Sequence, residues 1–232
     1  MNSTSVTGTE VQAFASARRM NRSLTAALEK RALTGMAERA PRWVTSDGLT
    51  ALGLFAQIGA GLFYAISRYD KYGLIGVIVC IVLNWFGDSM DGTLARVRNQ
   101  QRPRYGFYVD HTVDIFGATA LMCGLGCSGF VHWQVAMAML VAFLLLSAES
   151  YLATYTLSCF QMSHGIFGPT EIRILLIIGN LALLRSPYAK VLGHRLLLFD
   201  IGGTIAAIAM FAMAIGVAAH HTAQLYRQEP LR

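Results

Sequence analysis

Charge is scarce in this chain. Only 14% of its 232 residues are Asp, Glu, Lys or Arg, against 54% hydrophobic, and mean hydropathy is +0.46. Soluble domains average about 25% charged residues, so the composition excludes an ordinary water-exposed globule and points to an integral membrane protein. The four cysteines, Cys80, Cys123, Cys127 and Cys159, sit in or beside apolar runs without metal-ligand spacing and are expected to be buried packing residues. Residues 1–17 hold no apolar run, so no cleavable signal peptide is expected. The 19 Lys and Arg exceed the 13 acidic residues, giving +6, but no nucleic-acid motif accompanies them and no nucleic-acid partner is expected.

What the chain does have is long apolar runs, and they predict an all-α, polytopic membrane protein. The expected layout is a disordered tail over 1–22, an amphipathic juxtamembrane helix over 23–42, a six-helix domain over 43–222 and a short cytoplasmic tail over 223–232. Leu24, Leu28 and Met36 recur at near-helical spacing among Lys30, Arg31, Glu38 and Arg39, as on a membrane-surface helix. Trp43 suits an interfacial anchor, and Ser46 or Asp47 can cap the helix that follows.

The first span is Leu49 to Ser67, close to the roughly 20 residues a bilayer needs. The second begins at Tyr72 and continues past Gly87 into an acidic stretch. The third is Phe107 to Phe130, the fourth Trp133 to Tyr155, the fifth starts near Pro169, and the sixth is Ile201 to Ala219, ending at His220 and His221. With alternate connections on opposite sides, one side collects 14 Lys and Arg and the other 5. The positive-inside rule puts the larger set in the cytoplasm, and a bacterial inner membrane is the expected location.

Four of the few acids are concentrated in DSMDGTLARVRNQQRPRYGFYVDHTVD, residues 88–114. At about 100° per residue, Asp88 and Asp91 share one helix face, as do Asp110 and Asp114. Pro103 breaks the helix between the pairs, and the second helix is expected to return antiparallel. Carboxylates on facing helices make metal sites, and oxygen donors suit Mg²⁺, Mn²⁺ or Ca²⁺ better than zinc. Each carboxylate placed well inside a bilayer costs about 2.5–3.5 kcal/mol on insertion scales, so chance placement is disfavoured. Gly92 offers no side chain and Ala95 a small one on the same face, leaving room for a ligand.

The pattern Asp88-x-x-Asp91-Gly92-x-x-Ala95-Arg96, then Gly106-x-x-x-Asp110-x-x-x-Asp114, resembles the signature of the CDP-alcohol phosphotransferases, with all eight positions present. The resemblance implies a membrane enzyme of phospholipid synthesis that moves a substituted phosphoryl group from a CDP-linked donor to an alcohol and releases CMP. It implies two Mg²⁺ or Mn²⁺ ions held by Asp88, Asp91 and Asp110, with Asp114 sharing the site and acting as base. It further implies a nucleotide pocket lined by Gly92, Ala95, Arg96 and Gly106. Where many members of the family carry Pro-Asn before Leu-Thr, this chain has Ser46-Asp47, although Thr50 matches.

The acceptor is either a lipid or a polar alcohol. Gly168-Pro169-Thr170-Glu171 is similar to a stretch of choline and ethanolamine phosphotransferases, which use diacylglycerol, whereas Arg173 suits a phosphate on a polar acceptor. Glu149, an intramembrane acid, joins Glu171 and Arg173 as candidates for the acceptor side. Other partners are membrane lipids and a second copy of the chain, against which Gly53, Gly59 and Gly61 can pack. An intramembrane prenyltransferase also uses two Asp-rich motifs, but the resemblance places those in separate halves of a bundle, and here 18 residues separate Asp91 from Asp110. A divalent-cation transporter needs a polar path across the membrane, for which the spans offer little beyond Glu149 and Asn180.

Overall fold

Residues 26–157, 169–191 and 193–229 are described by a computed structural model, apart from the side chains of 26–30. The expected tail over 1–22, the beginning of the surface helix with Leu24, and Cys159 and Gly168 therefore lie outside the described residues, as does the side chain of Leu28.

Seven helices carry the described chain: α1 Ala26–Arg39, α2 Ser46–Ser67, α3 Gly73–Val97, α4 Pro103–Cys127, α5 Trp133–Leu157, α6 Pro169–Arg185 and α7 Leu198–Gln228. Four of them, α2, α3, α5 and α7, are long and apolar enough to cross a membrane. Of the other two expected spans, α6 has 17 described residues, and α4 carries Arg104, Asp110 and Asp114 within its first half. Phe55, Leu62 and Ile66 on α2 and Ile205, Ile208 and Ile215 on α7 are exposed, as apolar side chains are when lipid replaces water around them.

α2 is the central helix. Both α3 and α4 take it as their main packing partner, and α5 packs on α4 and α7. The two signature helices thus meet mainly through α2 and touch each other little. Glycine makes the close approaches possible. A Cβ on Gly87 of α3 would stand 2.6 Å from the Leu49 carbonyl oxygen, and one on Gly124 of α4 would stand 2.0 Å from that of Gly61. Gly53 and Gly61, read from the sequence as a face for a second copy, are used against α3 and α4 of the same chain. The core behind these contacts includes Tyr64, Leu74, Val77, Leu121, Leu125 and Leu183. Within it the Asn180 amide donates to the Tyr64 hydroxyl at 2.7 Å, joining α6 to α2.

α1 packs on α3 through Leu33 and Ala37, which meet Leu49, Met90 and Leu94, while Met36 is exposed. The buried stripe of this helix is therefore one position removed from the one traced through Met36. The α2 cap is also shifted: Thr45, not Ser46 or Asp47, accepts from the Gly48 N–H at 3.1 Å. α3 ends with Asn99 at φ 54, and the Asn99 and Gln100 N–H groups donate to the Arg96 and Ala95 carbonyls at 3.2 and 2.9 Å. This is a Schellman ending with asparagine in the left-handed position. Arg98 then donates to the Val44, Ala40 and Pro41 carbonyls, fixing the α1–α2 connection beside it. Pro103 starts α4 as the break expected there.

Two features depart from the expected layout. Tyr188–Val191 and His194–Leu197 form an antiparallel hairpin, with Lys190 opposite Arg195 and Gly193 at φ 86 in its turn. The last helix runs on to Gln228, past His220 and His221 where the sixth span was expected to end and into the residues assigned to a tail.

Candidate functional site

All four aspartates line one cleft, together with Thr50, Gly53, Asn84 and Val113. Its walls come from three helices: Thr50 and Gly53 from α2, Asn84, Asp88 and Asp91 from α3, and Val113 with Asp110 and Asp114 from α4. The helical spacing places each acidic pair on one face, and the Gly53–Gly87 approach draws α2 close enough for Thr50 to reach α3. Asp91 is buried, at 9% exposure, and the other three are partly buried. The charges acting on Asp114 are those of Asp88, Asp110 and Asp91, opposed by Arg173.

Arg173 reaches this cluster from α6. Its Nη2 donates to Asp88 Oδ2 at 2.7 Å in a partly buried ion pair, and its Nε donates to Asn84 Oδ1 at 2.9 Å. Asp91 is held from α2, where Thr50 Oγ1 donates to its Oδ2 at 2.6 Å and Ser46 Oγ donates to its main-chain oxygen at 3.0 Å. Its Oδ1 accepts from the Gly92 N–H. Asp47 forms an exposed ion pair with Arg102, just before α4.

The donor set suits a hard divalent cation: four carboxylates line one cleft and one guanidinium pairs with Asp88, an accumulation of like charge that needs positive charge to offset it. As the side chains stand, no three potential ligands among the described residues converge on one point. The reason is visible in the contacts, since Asp88 is turned to Arg173 and Asp91 to Thr50 and its own backbone. Carboxylate oxygens accept more than one partner, so these contacts leave lone pairs on both groups.

The remaining sequence candidates divide. Gly92, Ala95 and Arg96 follow Asp91 along α3, beyond the cleft's lining, and Arg96 Nη2 donates to Thr93 Oγ1 at 3.0 Å. Gly106 is exposed at the start of α4, with nothing within 4 Å of where a Cβ would be. Glu171 is in the first turn of α6, two residues from Arg173. Glu149 is not brought to the cleft: its Oε1 lies 2.6 Å from His221 Nδ1, so it binds α5 to α7 and pairs with a histidine rather than an arginine.

Sequence reasoning missed Asn84 and gave Thr50 no part in the site. The signal for Asn84 was present. It is the one amide in the apolar run from Tyr72 to Gly87, and it precedes Asp88 by four residues and Asp91 by seven, one helix face. Thr50 had no such signal, because its contact depends on how closely two helices approach.

Comparison with known proteins bears on the family. Archaetidylinositol phosphate synthase from Pyrococcus horikoshii is 24% identical over 113 residues, 49% of this chain and 53% of that protein. The chain thus aligns with about half the length of this curated relative. The crystal structure of Mycobacterium tuberculosis phosphatidylinositol phosphate synthase with CDP-DAG bound has a TM-score of 0.50 at 18% identity, covering 86% of this chain and 92% of that one. At that identity the likeness is one of fold. A family model described as CDP-alcohol phosphatidyltransferase, a group generally dependent on divalent cations, matches residues 43–220 and contains every cleft residue and Arg173. The chain belongs to the CDP-alcohol phosphatidyltransferase family.

Proposed function

We propose that this transferase moves a phosphatidyl group from CDP-diacylglycerol to a polar, phosphorylated alcohol, releasing CMP. The observation that carries the reading is that Asp88, Asp91, Asp110 and Asp114 line one cleft and that Arg173, from a separate helix, pairs with Asp88. The donor assignment is supported by the solved relative that holds CDP-DAG, and the acceptor by Arg173 together with the two relatives named as archaetidylinositol phosphate synthase and phosphatidylinositol phosphate synthase.

Asp88, Asp91 and Asp110 would hold two Mg²⁺ or Mn²⁺ ions, with Asp114 contributing to the same site. When bound, such ions neutralise pyrophosphate charge and polarise the bond to be broken. The protein's own groups do the rest. Asp114 takes the proton of the acceptor hydroxyl as its oxygen attacks the β-phosphorus, and CMP leaves with the electrons of the broken P–O bond. Gly92, Ala95, Arg96 and Gly106 would border the nucleotide, where small side chains on α3 and an open glycine on α4 leave space. Arg173 would exchange its contact with Asp88 for the acceptor's phosphate, a planar donor meeting a tetrahedral anion. Glu171 would line the approach on the same first turns of α6.

In this reading the chain crosses the membrane six times, with α4 and α6 completing the crossings that α2, α3, α5 and α7 begin, and the cleft faces the cytoplasm of a bacterial cell. The test is turnover of purified protein with CDP-diacylglycerol or CDP-choline against a panel of free and phosphorylated alcohols, scored as CMP released. CDP-diacylglycerol with a phosphorylated polyol should be the productive pair. Turnover only with CDP-choline and diacylglycerol would reverse the donor and acceptor assignments.

A further inference from the structure

The start of α2 is fastened to the first signature half through two distinct hydrogen bonds. Ser46 Oγ grips the Asp91 main chain, 3.0 Å from its carbonyl oxygen, and so fixes the position of the helix. Thr50 Oγ1 grips the carboxylate itself, 2.6 Å from Oδ2. The Thr50 hydroxyl also lies 3.1 Å from the Ser46 carbonyl, but it has one proton, and the shorter, charge-assisted contact is the stronger claimant.

Nothing else about α2 requires a hydroxyl at this position. The helix is already capped by Thr45, and its docking on α3 is secured by the Gly53–Gly87 approach. A valine would fill the same volume. The hydroxyl's distinctive effect is on Asp91, whose other oxygen meets the Gly92 N–H. Those two contacts together define the rotation of the carboxylate and leave further lone pairs for a cation.

We infer that Thr50 is a positioning residue that sets the orientation of Asp91 for cation binding. The inference rests on the proposed role of Asp91 as a metal ligand. It also gives the lead-in segment a task that the Ser46-Asp47 replacement does not disturb: Ser46 and Asp47 tie α2 to the backbone of α3 and to Arg102, and Thr50 addresses the ligand.

The experiment is Mn²⁺ binding to the purified full chain, followed by the electron paramagnetic resonance signal of free Mn²⁺ and therefore independent of turnover. Thr50→Val should weaken Mn²⁺ binding by about 10-fold, the low end for a lost ligand-orienting bond. Thr50→Ser should restore it. Ser46→Ala, which spares the carboxylate contact, should stay within about twofold of the parent. If Thr50→Val binds Mn²⁺ like the parent while Asp91→Asn does not, the positioning role is wrong and the metal site stands. If Asp91→Asn also binds normally, both fail. An equal loss in Thr50→Val and Ser46→Ala would attribute the effect to helix docking and overturn the inference. Should Thr50→Val not fold, Thr50→Ala decides by the same criteria.

Discussion

At the scale of single residues, each of the clustered aspartates is expected to respond in its own way. Asp91→Asn and Asp110→Asn preserve shape but remove charge, and each should reduce CMP release below detection while the purified protein keeps its thermal unfolding midpoint. Near-normal turnover of either variant at saturating Mg²⁺ would take that residue out of the metal site. Asp114→Asn should lower turnover strongly with donor binding largely intact, because a base matters more in the transition state than in the ground state. Equilibrium binding of CDP-diacylglycerol distinguishes the cases: affinity falling in step with turnover would make Asp114 a ligand only. Arg173 bridges Asn84 and Asp88 through two different nitrogens, so its loss has two components. Arg173→Ala should raise acceptor KM by about 10-fold, the order of one lost charged hydrogen bond of about 1.5 kcal/mol. It should also lower the melting temperature by exposing Asp88 to uncompensated charge. A lower melting temperature with unchanged acceptor kinetics would reduce Arg173 to a structural tie.

Among elements, the glycines distinguish packing from ligand space. Gly124→Ala places a methyl group 2.0 Å from the Gly61 carbonyl oxygen, and overpacking of this kind costs about 1–3 kcal/mol. Gly106→Ala meets nothing within 4 Å. Thermal melts should therefore show Gly124→Ala destabilised and Gly106→Ala at least as stable as the parent, with donor affinity lowered only in the second. An unaffected donor affinity in Gly106→Ala would remove that glycine from the nucleotide pocket. Much at this scale was legible in the sequence. The break at Pro103, the beginning of α6 at Pro169 and the continuation of α3 through Asp91 follow from proline's missing N–H and from unbroken apolar periodicity. The hairpin was not legible, since two four-residue strands, one with Lys190 and one with Arg195, read like any charged connection. The contacts of Glu149 and Thr50 were equally hidden, because periodicity assigns a residue to a face without naming the neighbour.

For the whole molecule, the family and the mostly helical, membrane-crossing character were legible because eight spaced residues and the apolar background point the same way. The packing order was not, because nothing in the sequence says that the two signature helices meet through α2. The proposed topology has a direct check. With the four cysteines replaced by alanine, single cysteines at Arg227 and at Lys190 should react with a membrane-impermeant maleimide from opposite sides of oriented vesicles. Labelling of both from one side would refute the six-crossing arrangement.

The contact between α2 and its neighbours also marks out where the protein can be engineered. Replacing helical glycine by alanine commonly stabilises by about 0.4–1 kcal/mol, because the unfolded chain loses freedom. At Gly61, Gly87 and Gly124 that strategy is closed, since an added methyl would press on backbone that cannot rotate away. At Gly35 on α1 and Gly202 and Gly216 on α7 the space is open. Efforts to make a hardier variant for crystallisation or biocatalysis therefore belong on the first and last helices, and the central one is best left as it is.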